Sequence, residues 1–384
     1  MKAVLVCHQD PVPLGHGGHH RAYQIRRELE DALGAENVLV VDNPWNHQPR
    51  PGLRNLPFRV RRTVAAYMEN PLKLISRTQF RSELYSLPPF HSYYEALVNG
   101  IEGPAVSIIE HAAFSALLPI NARHEIPTVA CIQNLAAFDM SDHLGGRWAM
   151  RAKALDLANE FEVLARCDGR LYISRVEAGF MGGLGLSGSF YPYLPVGEVR
   201  RRLERVREAR ARGSIDRGLF LLLGTVGPVI RRASFVRFLE NARRGLPRGV
   251  RLVVAGLYTE TLVPPGESHP NVEVRGWLEE DELHALLARV AAVVVPHHQG
   301  FGALTRVPEL SCAGVPVLVS RNATFAQDSP PGVAIVDDGW DAWCAAMESI
   351  SRADPAVAAA EYEAWEAGQP RPLPGALKAL ARDR

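Results

Sequence analysis

Arg306 and Glu309 lie three residues apart in the stretch VVVPHHQGFGALTRVPELSCAGVPVLVS, residues 293–320. On a helix that spacing puts a cation and a carboxylate on one face. An arginine fork grips phosphate oxygens two at a time, and a carboxylate one turn on accepts hydrogen bonds from ribose hydroxyls. Together they suit a nucleoside diphosphate. On an ordinary surface helix the same pair would be a solvated ion pair of little consequence. Gly300 and Gly302 stand just before them, where backbone without side chains lets a ligand come close.

Other polar residues close apolar, β-branched runs. Glu110-His111 follows Ala105–Ile109, and Gln133-Asn134 follows Pro127–Ile132. His111 can hydrogen-bond a sugar or a developing charge, and Glu110 can serve as a base or orient a partner. Such residues are also common as caps of the next helix. Asn134 is placed on the acceptor side. Three glycines (Gly15, Gly17, Gly18) and three histidines lie between Leu14 and Arg21. The histidines lack a second cluster at metal-ligand spacing, and no Asp-x-Asp is placed to hold a diphosphate through an ion. No metal site is expected.

The elements that must position these residues alternate. Lys2–Cys7 predicts a strand, the helix after the glycines buries Ala22, Ile25, Leu29 and Leu33, and Val38–Val41 is a second strand. Strands at Ala105–Ile109 and Pro127–Ile132, a helix over Trp148–Cys167 and a strand at Leu171–Ser174 complete the first half. Gly183-x-Gly-x-x-Gly188 has the letters of a dinucleotide fingerprint. It follows a helical stretch and leads into a strand, the reverse of what that fingerprint needs, so it reads as a loop. Tyr191–Gly197 reads as a linker, and Arg200–Arg212 as a solvated basic helix. The second half restarts with a strand at Leu219–Leu223 and Gly224-Thr225 after it. A helix over Ser234–Arg243, strands at Val250–Val254 and Asn271–Val274, Gly276-Trp277 and a helix over Asp281–Ala291 follow. Residues 293–320 then make strand, glycine loop, short helix and strand, with Gly314 at the helix end and Pro316 beyond it. A loop and helix start at the carboxyl end of a parallel strand form a ready anion site.

Strand-Pro, Gly-x-Gly, Arg-x-x-Glu and Gly-x-Pro-Val-Leu together resemble the donor-site signature of glycosyltransferase family 4 and related GT-B transferases. Many members carry two glutamates separated by seven residues. Here the position eight before Glu309 is Phe301, so the chain resembles a single-Glu variant. The order of elements across the whole second half resembles the same enzymes. The resemblance implies an α/β fold of two Rossmann-like parallel-sheet domains facing a central cleft. Domain bounds of 1–193 and 198–350 follow, with a helical segment 351–384 returning to the first domain. It implies that Gly17 and Gly18 lie beside the donor phosphates, with Thr225, Arg231, Gly300, Gly302, Arg306 and Glu309 on the donor. The backbone around Trp277 would hold the base. The implied activity is transfer of a sugar from a nucleotide sugar, UDP-sugar first among them, with no cofactor and with retention at the anomeric carbon. Three rivals stay open, among them a peripheral membrane scaffold acting through residues 49–82. Another is a sugar-nucleotide epimerase or hydrolase on the same fold, and the last is a non-catalytic module that binds nucleotide sugar or glycan.

At 384 residues the chain is long enough for two cores. Its net charge of +1 gives no field for nucleic acid. Residues 49–82 differ, with eight Lys or Arg against Glu69 among interleaved apolar residues. That pattern fits a solvated helical face, contact with an anionic membrane, or an anionic or lipid-linked acceptor. The acceptor would be a glycan, a lipid-linked sugar or a small molecule. Five cysteines form no Cys-x-x-Cys pair, and no apolar run reaches the ~18 residues of a membrane span. A cytoplasmic protein, peripheral on the inner membrane face if 49–82 binds lipid, is the expectation.

Overall fold

The computed structural model describes the chain except for residues 42–87, 140–145, 227–228, 264–268, 299–301, 354–356 and 383–384. The basic stretch 49–82 therefore lies outside the described residues. Two compact units result, Met1–Tyr193 with Pro370–Arg384, and Leu194–Gln369.

The first unit is built on a six-stranded sheet in the order β2-β1-β3-β4-β5-β6. The strands are β1 Lys2–Val6, β2 Val38–Val41, β3 Ala105–Ile109, β4 Thr128–Ile132, β5 Gly169–Tyr172 and β6 Ser189–Phe190, all paired in parallel. Their runs are apolar at successive positions because a parallel strand between helices is covered on both faces. Alternation along β1 sends Val4 and Val6 to one core with Phe90, Tyr94, Ile109 and Phe114. Ala3 and Leu5 face the other core, with Ala22, Ile25 and Leu29 of the helix Gly17–Leu33. The C-terminal helix Leu373–Arg382 adds Leu373 and Leu377 to that second core. A buried leucine there contributes about 1.5–3 kcal/mol.

The second unit repeats the plan in the order β12-β11-β10-β7-β8-β9. Its strands are β7 Asp216–Leu223, β8 Arg251–Ala255, β9 Val272–Gly276, β10 Val290–Val295, β11 Val317–Ser320 and β12 Val333–Val336. All are parallel. Each sheet has one point where the strand order reverses. In the first unit it lies between β1 and β3, in the second between β7 and β10. Open α/β sheets collect ligands in the crevice at such a point.

Two expectations change. The helix predicted over Asp281–Ala291 stops at Leu287, and the strand begins at Val290. All six residues of β10 are buried, so pairing on both edges outweighs the helical period that Leu286 and Leu287 suggest. The helix Gly197–Arg212 is not wholly solvated, for it buries Val199, Leu203, Val206 and Arg210 along one stripe. Two elements had no sequence signal strong enough to announce them, the helix Pro88–Asn99 and strand β12. Gly183–Gly188 is the turn between the helix Arg175–Gly183 and β6, as its context implies. Among the described residues no helix is long and apolar enough to cross a membrane.

Candidate active site

In the first unit, Glu110 is the residue just past β3 at the β1/β3 reversal. It is fully buried, and its carboxylate accepts from the backbone N–H groups of His8 and Gln9 and from Nε2 of Gln133 at 2.9 Å. Burial pushes its pKa up to about 7, against the pull of those donors. The neighbouring Cys7 thiol is also buried, which raises its pKa well above the ordinary range. It is a core thiol and no nucleophile.

His111 caps the 3-10 helix Ala112–Leu117, its Nδ1 accepting from Ala113 N–H at 3.0 Å. An accepting Nδ1 requires the neutral tautomer with its proton on Nε2, so His111 presents a donor. The His8 ring lies 6.1 Å away. His16 does the same for the helix Gly17–Leu33, accepting from Gly18 N–H at 3.1 Å. Gln133 also reaches the Gly18 carbonyl at 3.4 Å. Glu110, His111, Gln133, Gly17 and Gly18 thus share one corner. Asn134 is half-buried at the edge of it. The next residue, Leu135, has its N–H held at 2.9 Å by the fully buried Glu177.

In the second unit, the β7/β10 reversal holds Arg306. Its Nη1 donates to the Leu223 carbonyl at 2.9 Å, at the end of β7. Gly224 follows, and a Cβ there would collide with that guanidinium. Gly256 lies at φ +126°, and its own Cβ would strike the Gly224 carbonyl. The ends of β7, β8 and β9 meet backbone to backbone, with Gly224 N–H on Ala255 O at 3.1 Å and Gly256 N–H on Gly276 O at 2.7 Å. Thr225 is half-buried in this turn. Arg306 opens the helix Arg306–Cys312, Glu309 lies on it one turn later, and Gly314 at φ +71° ends it. Gly302 is buried ahead of the helix. Gly300 and the Arg231 side chain lie outside the described residues. The neighbouring Arg232 is turned away to Thr261, donating to its hydroxyl and its carbonyl at 2.9 Å each. Trp277 follows β9 with 59% of its surface exposed, its indole N–H 3.3 Å from Glu279 Oε1. So the structure brings Thr225, Arg306 and Glu309 to one switch point and sets Trp277 at the end of an outer strand.

Several contributors carry no motif. The loop after β10 is held by Ser320 Oγ on His297 N–H at 2.5 Å and by Asn322 on the His298 carbonyl at 2.6 Å. His298 Nδ1 meets Asp338 at 3.0 Å. In the first unit Arg21, 1% exposed, donates to the carbonyls of Tyr191 at 2.9 Å and Pro192 at 3.0 Å. Among the described residues no three His, Cys, Asp or Glu side chains gather as a metal site would require.

Two parallel six-stranded sheets in series, each with its polar corner at a strand reversal, define a GT-B fold. No protein-family model matches the chain, and no curated protein matches it by sequence. Among solved structures it is similar to sucrose-phosphate synthase from Thermosynechococcus elongatus. That likeness has 16% identity and a TM-score of 0.59 and spans 100% of this chain and 99% of that one. HepE from Anabaena, in complex with UDP-glucose, matches at 10% identity and TM-score 0.55 over 94% and 93% of the two chains. A UDP-forming α,α-trehalose-phosphate synthase from Burkholderia vietnamiensis matches at 12% and 0.55, over 95% and 94%. The shared property is the fold.

Proposed function

We propose that this protein is a glycosyltransferase that moves a sugar from a nucleoside diphosphate sugar, UDP-sugar first among them, to a hydroxyl acceptor. The observation that supports it most is the seating of Arg306 on Gly224 at the β7/β10 reversal. There a fixed cation stands at the carboxyl end of β7, on the Leu223 carbonyl. As the bond from the anomeric carbon to the diphosphate breaks, negative charge grows on the leaving oxygen. A cation already in place stabilises that charge without reorganisation. In this reading Arg306, Gly300, Gly302, Thr225 and Arg231 serve the diphosphate, Glu309 the ribose and the turn at Trp277 the base. Gly17, Gly18 and the Nε2–H of His111 serve the sugar, and Asn134 the acceptor. Transfer retains the anomeric configuration. Residues 49–82 would receive an anionic or lipid-linked acceptor. HepE was solved with UDP-glucose, which makes uridine the first base to try.

Thermal unfolding in the presence of UDP, GDP, dTDP and ADP tests the nucleotide half, because a ligand of the native state raises its apparent stability. A rise with one diphosphate, followed by sugar transfer from the matching donor, is the expected result. No shift with any of the four would overturn the reading. A donor altered equally with and without acceptor would make the protein an epimerase or hydrolase instead.

A further inference from the structure

We propose that Glu110 and Gln133 are a positioning pair that holds the glycine loop of the first unit, and that Glu110 does not itself touch substrate. This rests on the reading of that loop as part of a transferase site.

Glu110 extends the sheet by one residue. Its N–H donates to Val6 O and its carbonyl accepts from Gln133 N–H, both at 3.3 Å. The backbone at 110 therefore ties the ends of β1, β3 and β4. The side chains repeat the tie one layer further out. Oε1 of Glu110 takes the N–H groups of His8 and Gln9, where the chain leaves β1. Oε2 takes Nε2 of Gln133 at 2.9 Å, and the same nitrogen reaches Gly18 O at 3.4 Å. One carboxylate and one amide thus connect three strand ends to the first turn of the helix Gly17–Leu33.

That arrangement disfavours a base. A general base must come within about 3 Å of the proton it takes. Here both oxygens face protein donors, and the residue has no exposed surface. A carboxylate is an acceptor at both oxygens, which suits three N–H groups. A glutamine at 110 would place an NH2 group against a donor. Either the His8 and Gln9 amides or Gln133 would lose its acceptor. If Gln133 turned over to compensate, Gly18 O would lose its donor. Each route loosens the loop from His8 to the start of the helix.

The test is amide hydrogen exchange on the full chain for wild type, E110Q and Q133L. Both variants should exchange roughly tenfold faster in peptides covering residues 8–21, the effect of one lost buried hydrogen bond. Peptides of the second unit should be unchanged. If E110Q fails to fold, Q133L carries the test, since it removes the amide without touching the carboxylate. Unchanged exchange over 8–21 in the variants would overturn the proposal. Transfer assays add a second readout, in which both variants should lose kcat/KM to a similar extent. An E110Q enzyme that loses turnover while Q133L keeps it would mark Glu110 as a base and overturn the proposal too. Exchange needs no substrate, so the positioning role stands or falls on it even if the transferase reading fails.

Discussion

Nη1 of Arg306 fills the space that a side chain on Gly224 would need. The same nitrogen donates to Leu223 O at 2.9 Å. A side chain on Gly256 would strike the Gly224 carbonyl. A methyl group at 224 would meet the Arg306 guanidinium on one flank and the Phe235 ring at 3.0 Å, and the guanidinium is the softer neighbour. Gly224→Ala is expected to displace Arg306 and weaken UDP binding about tenfold, with about 1–3 kcal/mol lost from stability by overpacking. Calorimetric titration and thermal unfolding read the two effects. Full-strength UDP binding in this variant would separate Arg306 from the ligand.

Arg306 and Glu309 themselves give the direct test. Arg306→Ala and Glu309→Ala should each weaken nucleoside diphosphate binding by roughly 1.5–3 kcal/mol, the range for hydrogen bonds to charged groups. Arg306→Lys should recover only part of the loss, because an ammonium cannot hold Leu223 O and a phosphate in one planar fork. If both alanine variants bind UDP as wild type does, the donor site lies elsewhere.

The alternation of strands and helices was legible because parallel strands must be apolar on both faces, which β1, β3, β4 and β10 show in their letters. Arg306 was legible through its spacing after Gly302. What stayed hidden depends on contacts between residues far apart in the chain. Nothing local to Gly256 tells that it must pass under Gly224. The buried role of Arg210 is masked by the arginines around it, and only the stripe Val199, Leu203, Val206 hints at it. His111 was readable as a polar strand end and as a cap of the next helix, and its Nδ1 does accept from Ala113 N–H; only the tautomer that this fixes needed the structure. Strand β12 is four residues long and has a half-exposed Ile335, so its pattern was too short to stand out.

Glu110 should leave a signature in the pH dependence of stability. Its folded pKa, about 7, lies above the ordinary value of 4.5 because of burial. The folded state therefore holds the proton more tightly than the unfolded chain does. The stabilisation from that proton is fully present below pH 4.5 and lost as pH rises through about 7. Wild type is expected to lose about 3 kcal/mol over that window from this group. E110Q, which does not titrate, should lack that part of the slope. Unfolding of both proteins by denaturant at pH 5 and pH 8 measures the difference, and parallel slopes would remove Glu110 as the source.

Arg210 offers a contrast between two arginines on one helix. Arg210 is buried, and it donates to Leu287 O at 2.5 Å, Val290 O at 2.8 Å and Gly314 O at 3.1 Å. It ties the end of the helix Glu280–Leu287, the start of β10 and the turn after the helix Arg306–Cys312. Burial alone pulls its pKa down to about 10, so it remains charged at neutral pH. Arg210→Met keeps much of the volume and strips the three carbonyls of their donor. The expected loss is about 3 kcal/mol, or roughly 6–12 °C in the Tm of a unit this size. Arg212, two residues on, has 76% of its side chain exposed and pairs with Glu208 at 3.6 Å. Arg212→Met should change stability by no more than about 0.5 kcal/mol. Thermal unfolding of the two variants side by side distinguishes a buried tie from a solvated charge. Equal shifts would mean that the three carbonyls find other partners when Arg210 is removed.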